Sequence, residues 1–167
     1  MSTNKLSADA LNTQLPLNGV YLQLRPLAAD DIAAVLTIEQ SVHSHPWSRK
    51  LFEDCLHSRQ QCLLLCDQQT VVAYCVFSVA AGDAELLNIA TAPQWQRRGL
   101  ARLLLSYLLE QLTCVADTLY LEVRQSNIKA IMLYQELGLA EVGIRPNYYP
   151  SAKGREDAII MAYTLRL

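Results

Sequence analysis

Long apolar runs are what this sequence most plainly lacks. The opening stretch MSTNKLSADALNTQLPLNG is polar and mixed, so neither a signal peptide nor a membrane span is expected, and the protein reads as cytoplasmic with no membrane partner. Excess charge of one sign is also missing. Lys and Arg total 14 against 16 Asp and Glu, a net charge of −2. Nonspecific nucleic-acid binding needs a basic surface to neutralise phosphates, so direct nucleic-acid contact is not expected, although a locally charged cleft is compatible with this total. Metal-ligand sets are absent as well. Five cysteines, Cys55, Cys62, Cys66, Cys75 and Cys114, form an odd set, and Cys62 and Cys66 have no second pair or nearby histidine to complete a zinc site. They read as reduced, buried thiols of a cytosolic protein. His43 and His45 flank the loop HSHPW with no evident acidic or cysteine partner, so no metal is expected there either. No internal repeat and no low-complexity tract occurs, which excludes solenoids and arrays.

The 167 residues suffice for one domain with a substantial core, and the 51% hydrophobic and 18% charged content is that of a globular chain. Residues 1–18 read as a flexible extension and 19–167 as one domain. Val20–Leu24 alternates as a short strand closed by Arg25-Pro26. Asp30 is the expected N-cap of a helix carrying Ile32, Val35, Leu36 and Ile38 at helical spacing, and Ser48 caps a second helix reaching about His57. The apolar runs Gln61–Cys66 and Val71–Val79, split by a polar turn, predict a β-hairpin, with a further strand at Glu85–Ala90.

From there a strand, a helix from about Gly99 to Thr113 and a strand at Thr118–Val123 follow in succession. Leu103, Leu104, Leu108 and Leu112 share one broad face of that helix. This order implies a right-handed crossover between parallel strands, and such units bind ligands beyond the carboxyl ends of their strands. A last helix, Asn127–Leu137, ends at Gly138, and two final strands, about Ala140–Ile144 and Asp157–Leu165, are joined by RPNYYPSAKGRE.

Gln96-Arg97-Arg98-Gly99-Leu100-Ala101 lies where the crossover helix begins. Glycine at 99 allows close approach of a pyrophosphate, the first helical turn offers unpaired N–H groups, and Arg97, Arg98 and Arg102 can add charge-assisted contacts. An ordinary helix start with solvated arginines fits the same residues. No Gly-Lys-Ser/Thr follows and only one of three fingerprint glycines is present, so the P-loop and dinucleotide readings drop out.

Gln96-x-x-Gly99-x-Ala101 resembles the acetyl-coenzyme A signature of the GNAT acetyltransferases. N-I-A (88–90), Q-R-R-G-L-A-R (96–102), L-E-V-R-x-S-N (121–127), A-I-x-L-Y (130–134), R-x-N-Y-Y-P (145–150) and G-R-E-D-A-I-I-M (154–161) resemble the RimI branch more specifically. The likeness runs from about residue 20 to 163 and includes H-P-W-S at 45–48. It departs at Ala101, where close relatives often have glycine, and at Leu139, where an aromatic is common. The resemblance implies a mixed α/β fold: a mostly antiparallel sheet of six to seven strands with one parallel, splayed pair, flanked by about four helices. It implies acetyl-CoA as donor cosubstrate and no metal. Ile89, Ala90 and Thr91 are then expected beside the pantetheine arm, with Gln96, Arg97, Arg98, Gly99, Leu100, Ala101 and Arg102 around the pyrophosphate and Asn127 on the arm's amides.

Acetyl transfer to an amine needs a base for the incoming ammonium and an acid for the departing thiolate. Glu122, an acidic residue amid Tyr120, Leu121 and Val123, matches the family's base; an outward-facing or Arg124-paired surface glutamate is the alternative from composition alone. Tyr134, seven residues after Asn127 on one helix face, matches the family's acid; a core ring with an exposed hydroxyl is its alternative. The tail Arg145–Pro150 suits a groove for a peptide end or a tyrosine-bearing hairpin, and Glu156 and Asp157 are positioned to attract a basic peptide or simply to be solvated. The branch implies acetylation of the N-terminal alanine of the eighteenth small-subunit ribosomal protein, whose N-terminus is the expected partner. A lysine, polyamine or other small-amine acceptor, or a noncatalytic acetyl-CoA or protein-binding module, are the competing readings. A monomer is the simplest expectation, and the sequence leaves the oligomeric state open.

Overall fold

The computed structural model describes residues 6–7, 10–152 and 154–166. Its strands are β1 (Thr13–Leu17), β2 (Val20–Pro26), β3 (Gln61–Asp67), β4 (Thr70–Ala80), β5 (Asp83–Thr91), β6 (Thr118–Arg124), β7 (Ala140–Ser151) and β8 (Gly154–Thr164). Four helices accompany them: α1 (Ile32–Val42), α2 (Arg49–His57), α3 (Leu100–Leu112) and α4 (Ile128–Glu136). The strands form one sheet in the order β1-β2-β3-β4-β5-β6-β8-β7. Every neighbouring pair is antiparallel except β5 and β6, the two strands joined through α3. The expected mixed sheet with one parallel pair is present, with eight strands rather than six to seven.

The extra strand is β1. Residues expected as a flexible extension instead pair Thr13–Leu17 with Val20–Leu24 across a tight turn, and Leu15 is buried. The domain therefore begins before residue 19; residues 1–5 and 8–9 of the expected extension lie outside the described residues. The segment RPNYYPSAKGRE, expected as a connection, mostly continues β7 and β8, with an irregularity between Arg145 and Tyr149 where Asn147 has φ 53°.

Each face of the sheet carries its own helical layer. Leu100, Leu104, Leu105, Leu108, Leu109 and Leu112 of α3, with Ile131 and Tyr134 of α4, cover one face. Fully burying a leucine is worth roughly 1.5–3 kcal/mol, so this stripe dominates the anchoring of α3. Ile32, Val35 and Ile38 of α1 with Phe52 and Cys55 of α2 cover the other face. β3 and β4 lie between the layers, so they read as continuous apolar runs rather than alternating ones. Asp30 does not cap α1. A 3-10 turn, Ala29–Asp31, precedes the helix, and Asp31 instead accepts from the Ala28 amide at 2.9 Å and from both Arg25 Nη atoms at 2.6 and 2.7 Å.

Candidate active site

β5 and β6 separate part-way along their length. Asp83–Leu86 pair with Thr118–Leu121, and there the ladder stops, although β5 runs on to Thr91 and β6 to Arg124. The cause is local. On its other side β5 pairs with β4, and the register there jumps from Phe77↔Leu86 to Val76↔Asn88, leaving Leu87 as an inserted residue. One extra residue reverses which side chains face which layer, because the strand period is two. Ala84 and Leu86 face the α3 layer before the insertion, whereas Ala90 faces the α1 layer after it. The bend turns Leu87–Thr91 away from β6 and leaves the main-chain groups of that stretch without a strand partner on the β6 side. Ile89, Ala90 and Thr91 form the far end of this opening.

The predicted phosphate cradle stands at its mouth. Gln96 Nε2 donates to the Thr91 carbonyl at 3.3 Å, tying the loop to the end of β5. Arg97 (φ 65°) and Gly99 (φ 87°) are both left-handed, which curls the main chain into the start of α3. Gly99 is the N-cap with no side-chain cap, and the first intrahelical bond runs from the Leu103 amide to its carbonyl at 2.9 Å. The amides of Leu100, Ala101 and Arg102 therefore have no acceptor within the helix, at the positive end of its dipole. Glycine is needed here for backbone conformation more than for space, since an added Cβ would meet only Leu17 Cδ1, at 3.8 Å.

The arginines divide. Arg97 is exposed, Arg98 is exposed with its guanidinium 4.8 Å from the centre of the Trp95 ring, and Arg102 is ion-paired with Glu136 of α4. An anion fits the free amides and the first two cations. Asn127 caps α4, its Oδ1 accepting from the Ala130 amide at 3.3 Å.

Glu122 lies on β6 just past the last residue paired with β5, on the face away from α3. Its side chain is 17% exposed, and its partner is Arg145 of β7, Nε to Oε1 at 2.7 Å, not Arg124. A cleft of about 290 Å³ opens beside it, lined by Ser78, Glu85, Tyr120, Glu122, Arg145 and Ile160 among others. Two tyrosines of β7 bound the same region. A hydrogen bond to the Glu122 carboxylate and its charge push the Tyr148 hydroxyl up, and Tyr149 donates to the Glu122 carbonyl at 3.4 Å. Burial, then the Glu122 charge, pushes Tyr149 up to about 12. Tyr134 is buried in the α4 layer, and burial first and Tyr149 second push it up to about 12. Tyr149 is thus bonded to the main chain of one group predicted from sequence and lies near enough to the hydroxyl of the other to help raise it.

Several residues to which the sequence reading gave no such role hold this arrangement. Arg124 donates to Glu156 at 2.7 Å and to the Pro150 carbonyl at 2.8 Å, lies 4.4 Å from the Tyr149 ring centre, and reaches His45 Nδ1 at 3.4 Å. It thereby ties β6 to the β7–β8 hairpin and to the loop between α1 and α2. Glu39 of α1, almost fully buried, accepts from the Tyr74 hydroxyl, from the Trp47 amide at 2.7 Å and from Asn88 Nδ2 at 3.3 Å. His43 Nε2 lies 3.4 Å from the same carboxylate, so the histidine read as lacking an acidic partner has one. A glutamate one turn after Val35 on a helix face otherwise apolar was the available signal. Among the described residues, no helix is long and apolar enough to cross a membrane and no cluster of three or more potential metal ligands occurs.

Residues 30–139 match the acetyltransferase (GNAT) family. The ribosomal protein bS18-alanine N-acetyltransferase of Salmonella typhimurium is 45% identical over 142 residues, 84% of this chain and 96% of its own length. That of Escherichia coli K12 is 44% identical over the same shares. A crystal structure of the Escherichia coli ribosomal-protein-S18-alanine N-acetyltransferase superposes with a TM-score of 0.81 at 42% identity, covering 87% of this chain and 95% of that one. An opened parallel strand pair, a glycine-capped helix at its mouth and relatives matched over nearly their whole length lead to one assignment: this chain belongs to the GNAT acetyltransferase family.

Proposed function

We propose that the protein transfers an acetyl group from acetyl-CoA to the α-amine of the N-terminal alanine of ribosomal protein bS18, in the cytoplasm. The observation that carries this reading is the opening between β5 and β6 with Glu122 at its edge. The relatives that act on this acceptor match 84% of the chain and 96% of their own length.

Acetyl-CoA supplies the activated acyl carbon as a thioester. The residues that would hold it are Gln96–Arg102 at the diphosphate, the unpaired edge of Ile89, Ala90 and Thr91 along the arm, and Asn127 beside it. Main-chain donors already oriented in the opening cost no reorganisation during reaction, and one such donor is worth about 3 kcal/mol in a barrier. Glu122 takes the proton from the incoming ammonium, directly or through a water. An α-amine has a pKa of about 8, so this removal is needed near neutral pH. Tyr134 holds its proton well into the alkaline range and donates it where the thiolate departs. Attack is direct, within a ternary complex, and the rate derives largely from positioning. Tyr148 and Tyr149 supply aromatic area and hydroxyls for the first peptide units.

The test is mass spectrometry of purified bS18 incubated with the protein and acetyl-CoA. Acetylation on the α-amine of the first alanine is expected. Modification of lysine side chains alone, or of polyamines in preference to the protein, moves the acceptor to another class, and no transfer at all leaves a binding module.

A further inference from the structure

The cleft beside Glu122 has anionic walls and one cation. Asp83, Glu85 and Glu122 contribute carboxylates to its lining, and Arg145 is the lone positive side chain among the lining residues. That arginine is itself 55% exposed, yet it sits on the Glu122 oxygen at 2.7 Å, with its guanidinium 5.3 Å from the Tyr148 ring centre. Glu122 is only 17% exposed, so the guanidinium stands on the solvent side of a carboxylate that has few other approaches. The acceptor amine arrives as an ammonium and must reach the same carboxylate to lose its proton. Arg145 holds one oxygen of that carboxylate, and an ammonium arriving there meets a like charge.

We propose that Arg145 is a specificity-determining stand-in for the acceptor: it occupies the ammonium position in the free enzyme and is displaced by the incoming chain end. The inference rests on the acceptor reading above. The arginine's side of this pair is open to solvent, so exchanging it for another cation is inexpensive. A neutral chain end that displaced the arginine would leave Glu122 without a partner in the cleft, a loss an ammonium avoids. Discrimination for a charged chain end thus follows from this side chain. Arg145 pairs with Ala158 in the β7–β8 ladder ahead of the irregularity, so its side chain can swing off Glu122 with the main chain in place.

The experiment is steady-state acetylation of an alanine-initiated bS18 peptide by the parent, Arg145→Gln and Arg145→Lys, with acetyl-CoA affinity measured by calorimetry on each. If Arg145 competes with the acceptor, Arg145→Gln lowers the peptide KM by about threefold, the size of one exposed ion pair. Arg145→Lys, which restores a cation, returns KM toward the parent value, and acetyl-CoA affinity is the same in all three, showing that each is folded. A peptide KM that is unchanged or raised in Arg145→Gln overturns the proposal, because the guanidinium then either lies apart from the acceptor or binds it. A parent that neither binds nor acetylates the peptide overturns the acceptor reading and this inference with it; a parent that acetylates normally beside a variant with raised KM overturns the inference alone.

Discussion

The carboxylate of Glu39, on α1, accepts a hydrogen bond from the Asn88 side chain one residue past the insertion that bends β5. The same carboxylate accepts from the Trp47 amide at 2.7 Å, so one buried group joins the bent strand to the loop between α1 and α2. Glu39→Ala leaves the Tyr74 hydroxyl, the Asn88 amide and the Trp47 N–H without their acceptor. Destabilisation of about 3 kcal/mol is expected in urea unfolding. A loss below about 1 kcal/mol would show that water replaces the carboxylate.

Glu122→Gln keeps the size of the side chain and an acceptor for Arg145 but cannot take a proton. Its kcat/KM should fall by about 10²–10⁴-fold, with acetyl-CoA affinity retained. Parent-like turnover of the peptide would place the base elsewhere.

Tyr134→Phe removes one hydroxyl from a buried ring that otherwise packs unchanged. Turnover should drop by about 10²-fold or more while thermal stability and cofactor affinity hold. With the hydroxyl raised to about 12, the acid stays protonated as pH rises, so the parent kcat should show no loss from this group below about pH 10. An alkaline limb near pH 9 that vanishes in Tyr134→Phe would show that burial does not hold the hydroxyl up, and parent-like turnover of Tyr134→Phe would take the acid role from it.

Gly99→Ala tests the cradle through its backbone. Alanine at φ 87° costs roughly 1–2 kcal/mol whatever the space around it. If the chain relaxes to avoid that cost, the curl that exposes the amides of Leu100 to Arg102 opens. Calorimetry should show acetyl-CoA binding weakened by about tenfold, and undiminished affinity would remove the cradle from phosphate binding.

Arg25 and Asp31 form a two-pronged ion pair that holds the start of α1 against β2. The hydrogen bond from Arg25 holds Asp31 below the usual carboxylate range. A lowered folded pKa contributes stability that is present above the unfolded value of about 3.9 and is lost as pH falls through the folded value. Asp31→Asn should therefore cost about 1 kcal/mol at pH 7, with the gap to the parent closing at lower pH. A gap that persists undiminished at pH 2 would mean that the charge is not its source.

What the sequence made legible follows from periodicity and backbone need. The leucines of α3 recur at helical spacing, and Gly99 and Gly138 sit where left-handed residues bound a helix, so the crossover and the turn that starts its helix were legible in the sequence. β1 and the outer half of β7 could not, because Pro16, Pro146 and Pro150 disguise them. Proline is tolerated there since β1 and β7 are the two edges of the sheet, a position that only the assembled topology reveals. The insertion at Leu87 is a mismatch between two strands and has no signature in either alone. For the same reason the pairing of Glu122 with Arg145, 23 positions apart on strands that are not neighbours in the sheet, escaped a reading that weighed only the adjacent Arg124.

The most direct test of the site is a crystal structure of the protein with acetyl-CoA. The arm should lie between β5 and β6 along Leu87–Thr91, with the diphosphate on the amides of Leu100 to Arg102 and the acetyl carbon between Glu122 and Tyr134. Density for the molecule outside that opening, or β5 and β6 zipped together beyond Leu86 and Leu121, would contradict the account.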